Sequence, residues 1–206
     1  MTGLFIAFLV LSYLIGSIPT AVWVGKAFYK KDVRDFGSNN AGATNTFRVL
    51  GVKAGIPVLL IDVLKGWFCA YMLAWQLHPS FLSNPAVNTQ VAFGVAAIVG
   101  HIYPIFAGFR GGKGVATALG IIIALHVEAS LSCFVVFIVM LLITRIVSLS
   151  SMIAAITFPL FVCFVFPESY NSLVIFSIVM SVLILATHIK NIQRLLKGEE
   201  KKIFYN

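Results

Sequence analysis

Seven apolar stretches, parted by short polar breaks, leave this chain few ways to fold. They run from Leu4 to Val24, Ala54 to Leu77, Val87 to Phe106, Val115 to about Leu125, Ser130 to Ile143, Leu149 to Phe166 and Leu173 to Ala186. A helix that crosses a bilayer needs about 20 apolar residues. The fourth and fifth stretches are marginal alone. Gly120 and the polar break His126-Val127-Glu128 predict two short or tilted helices there rather than one long one. The chain is 60% hydrophobic and 11% charged over 206 residues, whereas a soluble domain carries roughly 25% charged residues. So much apolar side chain has no place inside a water-soluble globule of this size. The reading is an all-α integral membrane protein, a bundle of seven transmembrane helices in one domain, 1–206. The first stretch has no basic region before it and no clean small-x-small cleavage pattern, so it reads as a retained helix and not a removed signal.

The cations test that count. Cytoplasmic loops of membrane proteins carry an excess of Lys and Arg. With the N-terminus outside, the inner breaks hold Lys26, Lys30, Lys31, Arg34, Arg48 and Lys53, then Arg110 and Lys113, then Arg145. The tail adds Lys190, Arg194, Lys197, Lys201 and Lys202, also inside. The outer breaks over 78–86, 126–129 and 167–172 hold neither Lys nor Arg, and Lys65 alone lies within a stretch. Seven helices account for every loop charge. Fusing the fourth stretch with the fifth would strand Arg145 and the tail outside unless another pair fused too. This topology places both glycine-rich loops, the Arg145–Ser151 break and the His188 region at one cytoplasmic surface. The tail from Gly198 to Lys202 reads as a frayed, solvated end.

The net charge of +8 therefore belongs to topology and anionic headgroups. No basic run interleaved with aromatics points to nucleic acid. Cys69, Cys133 and Cys163 each stand alone in an apolar run, which excludes a disulfide framework and a structural zinc site.

Two breaks are chemically unusual. The first runs Gly37-Ser38-Asn39-Asn40-Ala41-Gly42-Ala43-Thr44-Asn45-Thr46-Phe47-Arg48. It is too polar to span, too rich in glycine and small residues for an ordinary helix, and longer than a connection needs. Successive N–H groups of such a loop can face an anion, and Arg48 can grip phosphate bidentately. The second, Gly111-Gly112-Lys113-Gly114, feeds a helix whose first turn carries Thr117. A glycine turn at a helix N-terminus is an anion site, and Lys113 adds a point charge. The spacing is not that of a Walker A loop.

Further candidates border the same face. His101 could orient a hydroxyl or take a proton, or be a satisfied interfacial group. His188 and Asn191, at i and i+3, share a helix face. Asp62 and Lys65 read as a mutual structural pair, since charges at that depth normally pair within the bundle. Of Ser148, Ser150 and Ser151, one caps a helix and another is available to a substrate. No GxSxG elbow, no His-x4-Asp and no carboxylate cluster for a metal is present. Any catalysis then rests on positioning and charge neutralisation, with neither a metal nor another cofactor.

Three segments taken together resemble the bacterial acyl-phosphate:glycerol-3-phosphate acyltransferase family of PlsY type. They are Gly37 to Asn45 with Arg48, then Gly100-His101-Ile102-Tyr103-Pro104 leading to Gly111–Thr117, and Thr187-His188-Ile189-Lys190-Asn191-Ile192 with Arg194, Leu195 and Gly198. The resemblance covers essentially the whole chain, in order and spacing. One departure is Asn39, where glycine is expected after the serine. The resemblance implies a seven-helix enzyme of the bacterial inner membrane. It implies transfer of a fatty acyl group from acyl phosphate to the sn-1 hydroxyl of glycerol 3-phosphate, giving lysophosphatidic acid and phosphate. Neither acyl-CoA nor acyl carrier protein would be the direct donor. The functional residues it implies are Ser38, Arg48, Lys113, His188, Asn191 and a serine of 148–151, with Ser148 favoured over Ser151. Substrate contacts are expected from Asn39, Asn40, Gly42, Thr44, Asn45, His101, Gly111, Gly112, Gly114, Thr117, Ser151 and Arg194. The competing class is a membrane transporter of an organic phosphate. Such carriers usually show inverted repeats, and no repeat is visible.

Overall fold

The computed structural model describes residues 2–77, 84–167 and 170–203. Of the outer connections expected over 78–86 and 167–172, residues 78–83 and 168–169 lie outside the described residues. Helices make up the structure, and among the described residues there is no strand. The chain divides into two compact units, Met1–Leu125 and His126–Asn206.

The first unit holds α1 (Thr2–Gly16), α2 (Thr20–Tyr29), α3 (Ala43–Leu50), α4 (Val52–Phe68), α5 (Ala74–Leu77), α6 (Asn84–Ile102) and α7 (Val115–Leu125). A π-helical turn, Cys69–Leu73, joins α4 to α5 without a break in the rod. The first apolar stretch is not the single helix expected. It bends by 42° between α1 and α2, because Pro19 supplies no N–H and disfavours helical geometry in the residue before it. The glycine-rich segment also departs from expectation. Its second half is the helix α3, which buries Asn45 and Thr46. Tertiary packing against α4 overrides weak local propensity there.

Small residues let the helices of this unit approach closely. A Cβ on Gly120 would collide with the Val63 carbonyl, and one on Gly66 with that of Thr117. Both positions lie in the α4–α7 crossing, the small-residue packing that substitutes for a hydrophobic drive in lipid.

The second unit holds α8 (Val127–Thr144), α9 (Val147–Leu160), α10 (Asn171–Thr187) and α11 (Ile189–Leu196). The His126 break is present, and the His126 Nδ1 accepts from the Ala129 N–H at 3.3 Å to start α8. Arg145 ends α8 in a left-handed conformation, φ 59°. The expected serine cap on α9 is absent: Ile146 is the N-cap, with no side-chain bond. The Ser150 and Ser151 hydroxyls instead donate back to the carbonyls of Ile146 and Val147, both at 2.9 Å.

Large apolar side chains line the outside. Leu60 and Leu64 on α4 are 54% and 57% exposed, and Leu142 and Ile143 on α8 are 73% and 72% exposed. On rods this long and apolar, such surfaces face lipid. Among the described residues, four helices are long and apolar enough to cross, and six if each bent pair is one span. The pair α10–α11 bends by 60°. Helix α7 has 11 residues, which rise only about 16 Å, so the expected count of seven depends on it.

Candidate active site

In the first unit, the loop before α3 is built from the inside. Asp32 accepts from the Arg34 N–H and Nε, both at 3.0 Å, and from Nη2 at 2.8 Å. The Arg34 guanidinium thereby holds the Asp32 carboxyl far below the usual carboxylate range, and Asp32 in turn raises Arg34. Arg34 Nη1 also donates to the Ala107 carbonyl at 2.7 Å. This cation ties two loops together and is unavailable as a ligand. Asn45, 1% exposed, does the same for its own loop. Its amide donates to the carbonyls of Val33, Phe36 and Asn40 at 2.8, 3.1 and 3.0 Å, while Oδ1 accepts from the Ser38 N–H at 2.8 Å. Asn39 takes φ 56°, the left-handed region that asparagine tolerates better than most residues after glycine. That accounts for asparagine where glycine was expected.

The second glycine loop meets the first. The Gly111 carbonyl accepts from the Ala41 N–H and the Asn40 amide, both at 3.4 Å. The Gly111 and Gly112 N–H groups donate to the carbonyls of Ile102 and His101 at 3.2 and 3.1 Å. So the N–H groups at 38, 111 and 112 are engaged in holding the loops, and do not face an anion as their sequence predicted. The donors that helix geometry itself leaves over lie in the first turns of α3 and α7. Among the side chains, Arg48 and Thr44 are exposed, while Ser38, Asn40 and Lys113 are half-buried. Gly114, at φ 87°, starts α7. Thr117 is fully buried.

Beneath Gly112 lies a buried ionic group. Asp62 Oδ1 stands 2.7 Å from Lys65 Nζ, accepts from Thr20 Oγ1 at 3.1 Å, and lies 3.7 Å from His101 Nδ1. Lys65 also donates to the Ile18 carbonyl at 3.1 Å. The expected Asp62–Lys65 pair is therefore present. A Cβ on Gly112 would strike the His101 ring, so the glycine is required for the loop to rest on the histidine. The cavity among Thr20, Asp62, Lys65, His101, Gly111 and Gly112 has about 10 Å³ of free volume, room for one water and no substrate. Here charge supports the loop from below.

In the second unit, Ser148, His188 and Asn191 are buried, at 7%, 3% and 4% exposure. His188 sits at the bend between α10 and α11, and its Nδ1 lies 2.8 Å from the Ile184 carbonyl. A carbonyl only accepts, so Nδ1 carries the proton and Nε2 is the acceptor of the neutral ring. The tail is not frayed. Gly198, at φ 71°, reverses the chain after α11, and the Ile203 N–H donates to the Arg145 carbonyl at 2.7 Å. This fold brings Glu200 onto three candidate residues. Ser148 Oγ donates to Oε1 at 2.7 Å, Asn191 Nδ2 to Oε1 at 2.6 Å, and Arg194 Nε to Oε2 at 2.6 Å. Burial pushes the Glu200 carboxyl up, but Arg194, Ser148 and Asn191 together outweigh it and hold the group below the ordinary glutamate value.

The comparisons with known proteins give the family. A family model described as glycerol-3-phosphate acyltransferase matches residues 6–198. The chain belongs to that family. A glycerol-3-phosphate acyltransferase of Fusobacterium nucleatum is 43% identical over 198 residues, covering 96% of this chain and 97% of the relative. A glycerol-3-phosphate acyltransferase 2 of Bacillus anthracis is 48% identical over 195 residues, covering 95% and 97%. Among solved structures, PlsY (YgiH), an integral membrane glycerol 3-phosphate acyltransferase, matches in its glycerol 3-phosphate form with a TM-score of 0.86 at 37% identity, over 97% of this chain and 95% of that one. Its lysophosphatidic acid form matches with a TM-score of 0.84 at 36% identity. This member of the family is a multi-pass bacterial membrane protein.

The sequence reading missed three contributors: Glu200, the Asp32–Arg34 pair and Thr20. A signal existed for the first, since glycine just past a helix end marks a reversal. Thr20 and Asp32 left no local mark.

Proposed function

We infer that this chain transfers a fatty acyl group from acyl phosphate to the sn-1 hydroxyl of glycerol 3-phosphate, yielding lysophosphatidic acid and phosphate in phospholipid biosynthesis. The observation that carries this reading is the family match over residues 6–198, which takes in every candidate residue. Supporting it, the PlsY structures are described with glycerol 3-phosphate and with lysophosphatidic acid, an acceptor and its acylated product. That span also favours 1–206 acting as one acyltransferase domain.

The chemistry follows from the substrates. Acyl phosphate is a mixed anhydride with a good leaving group, so no covalent enzyme intermediate is required. The acceptor oxygen attacks the acyl carbonyl carbon, the carbon–oxygen bond to phosphate breaks, and phosphate departs. The enzyme must align one hydroxyl with one carbonyl and offset the repulsion of two phosphates. Arg48 and Lys113 neutralise phosphate charge, joined by the first-turn N–H groups of α3 and α7, while Ser38 donates to an oxygen. Arg194 adds a third cation. His188 presents Nε2 to the acceptor hydroxyl and takes its proton, and Asn191 orients the glycerol moiety. Asn39, Asn45, His101, Gly112 and Thr117 shape the loops on which the ligands rest, and Asn40, Gly42, Thr44, Gly111, Gly114 and Ser151 border them. The acyl chain lies between helices with its end in lipid.

The protein sits in the inner membrane with its N-terminus outside and its tail and active site cytoplasmic, α7 serving as a shortened seventh crossing. Detergent-solubilised protein supplied with acyl phosphate and glycerol 3-phosphate should release phosphate and form lysophosphatidic acid; acyl-CoA should not replace the donor. Absence of product with acyl phosphate would defeat the reading. Single cysteines at 40, 112 and 190 should be labelled from the cytoplasmic side, and labelling only from the far side would defeat the topology.

A further inference from the structure

The glutamate of the tail deepens this reading, and the inference rests on it. We propose that Glu200 is a positioning residue that turns Ser148 into a hydrogen-bond acceptor for the non-reacting hydroxyl of glycerol 3-phosphate, and so sets acceptor specificity.

The argument begins with a proton count. A serine hydroxyl has one proton to donate and two lone pairs to accept with. The Ser148 proton is directed to Glu200 Oε1 at 2.7 Å. A carboxylate is acceptor-only, so the direction of that bond is fixed by chemistry. While it stands, Ser148 can only accept from a ligand. A fully ionised phosphate has no proton to give, whereas a glycerol hydroxyl has one. The serine is therefore set to read a hydroxyl and not a phosphate.

The same carboxylate takes one N–H of Asn191 at 2.6 Å, which fixes the amide's orientation. It meets Arg194 only through Nε, at 2.6 Å. The guanidinium has five donors, and its side chain is 35% exposed while that of Glu200 is 7% exposed. Arg194 thus offsets the glutamate charge and retains the terminal donors of its fork for an anion. One buried carboxylate organises a hydroxyl reader and a phosphate reader, the two kinds of group that a polyol phosphate calls for.

Glu200 does not serve as the base. A carboxylate stabilised by Arg194, Asn191 and Ser148 is a poor proton acceptor. It suits a hydroxyl that keeps its proton, which is the one that does not react. The backbone supports a dedicated arrangement: the Glu199 N–H donates to the Arg194 carbonyl at 2.8 Å and Ile203 is tied to Arg145, pinning the tail on either side of Glu200.

The test compares glycerol 3-phosphate with 3-hydroxypropyl phosphate, which retains the reacting hydroxyl and lacks the other. Acyl phosphate is the donor, and wild type, Glu200→Gln, Glu200→Asp, Ser148→Ala and the double variant Ser148→Ala/Glu200→Gln are compared. Wild type should prefer glycerol 3-phosphate. In Glu200→Gln, kcat/KM for glycerol 3-phosphate should fall about 10- to 100-fold, mainly through KM, with only a few-fold loss on the analogue. Ser148→Ala should shift the preference similarly, and the double variant should add little beyond either single change. Glu200→Asp should recover part of the preference, and Glu199→Gln, on an exposed neighbour, should behave as wild type. The preference is a ratio taken on one preparation, so partial misfolding cancels. Equal losses on both substrates would reduce Glu200 to a structural brace and overturn the proposal. So would an unchanged preference, or a lower KM in Glu200→Gln, which would mark the tail as a self-bound competitor of phosphate. Wild type inactive on both acceptors would overturn the functional reading itself; an active wild type with an immovable preference overturns only this inference.

Discussion

The glycine loops of the first unit and the α9–α11–tail cluster of the second use polar groups in opposite ways. In the loops, most polar atoms hold backbone to backbone: Asn45 makes four bonds to its own segment, and Arg34 fastens 32–34 to Ala107. In the cluster, one carboxylate gathers the side chains of Ser148, Asn191 and Arg194. The first region is a shaped platform that carries Arg48, which is exposed, and Lys113, which is half-buried. The second is a set of side-chain tips oriented by a counter-ion. A loop must satisfy its own backbone before it can serve a ligand. A helix has already satisfied its backbone internally, so its side chains can organise one another.

The comparison breaks most readily at these two cations. Arg48→Ala and Lys113→Ala should each lower kcat/KM for acyl transfer by about 10²–10³-fold with an unchanged melting profile in detergent. Near-normal turnover in both would show that the platform does not carry charge to the substrates.

Platform and charge should separate at Asn45. Asn45→Ala removes two N–H donors, shared among three carbonyls, and one acceptor from a buried site, a destabilisation of about 2–4 kcal/mol, and activity should fall together with thermal stability. Asn45→Asp keeps the acceptor for the Ser38 N–H and loses the donors, so it should be no better. A variant that retained full stability would show the loop to be held by other means.

The ionic group under Gly112 gives a sharper contrast. Lys65→Met alone leaves Asp62 buried without its nearest cation and should destabilise by about 3–5 kcal/mol. The joint change Asp62→Leu/Lys65→Met should recover much of that loss, read by chemical or thermal unfolding in detergent. If the double variant is as damaged as the single, the group does more than fill space with paired charge.

The smallest effect concerns acid. Asp32 and Glu200 both have folded-state carboxyls depressed below their ordinary values. Their contribution is complete above the unfolded pKa values of about 4 and is lost as pH falls through the lower folded values. Stability should therefore be flat in this respect from about pH 5 to 8 and decline only in stronger acid. Asp32→Asn should flatten part of that acid decline and lower stability near neutrality by about 1–2 kcal/mol. An acid limb unchanged in Asp32→Asn would remove the Arg34 tie from the account.

Much of this protein is written in its order of residue types. Stretches of apolar residues near bilayer length predict helices, because lipid offers backbone groups no other partner. An anion site could be read from Gly37–Arg48 and Gly111–Thr117, since glycine, hydroxyl and cation together serve anions, and the family from the resemblance of these segments and Thr187–Asn191. Asp62 and Lys65 announced their pairing by being charged within one apolar stretch. Three-dimensional packing decided the rest. Whether an N–H of Gly111 or Gly112 faces a ligand or the carbonyls of His101 and Ile102 depends on where α6 ends relative to the loop. Helix α3 forms because α4 offers a surface to residues whose own propensity is weak. Glu200 reads as one charge in a solvated tail until Gly198 reverses the chain and delivers it to Ser148. Composition and periodicity are local and additive, so they survive in the sequence. A hydrogen bond across 52 positions is neither, and only the folded chain contains it.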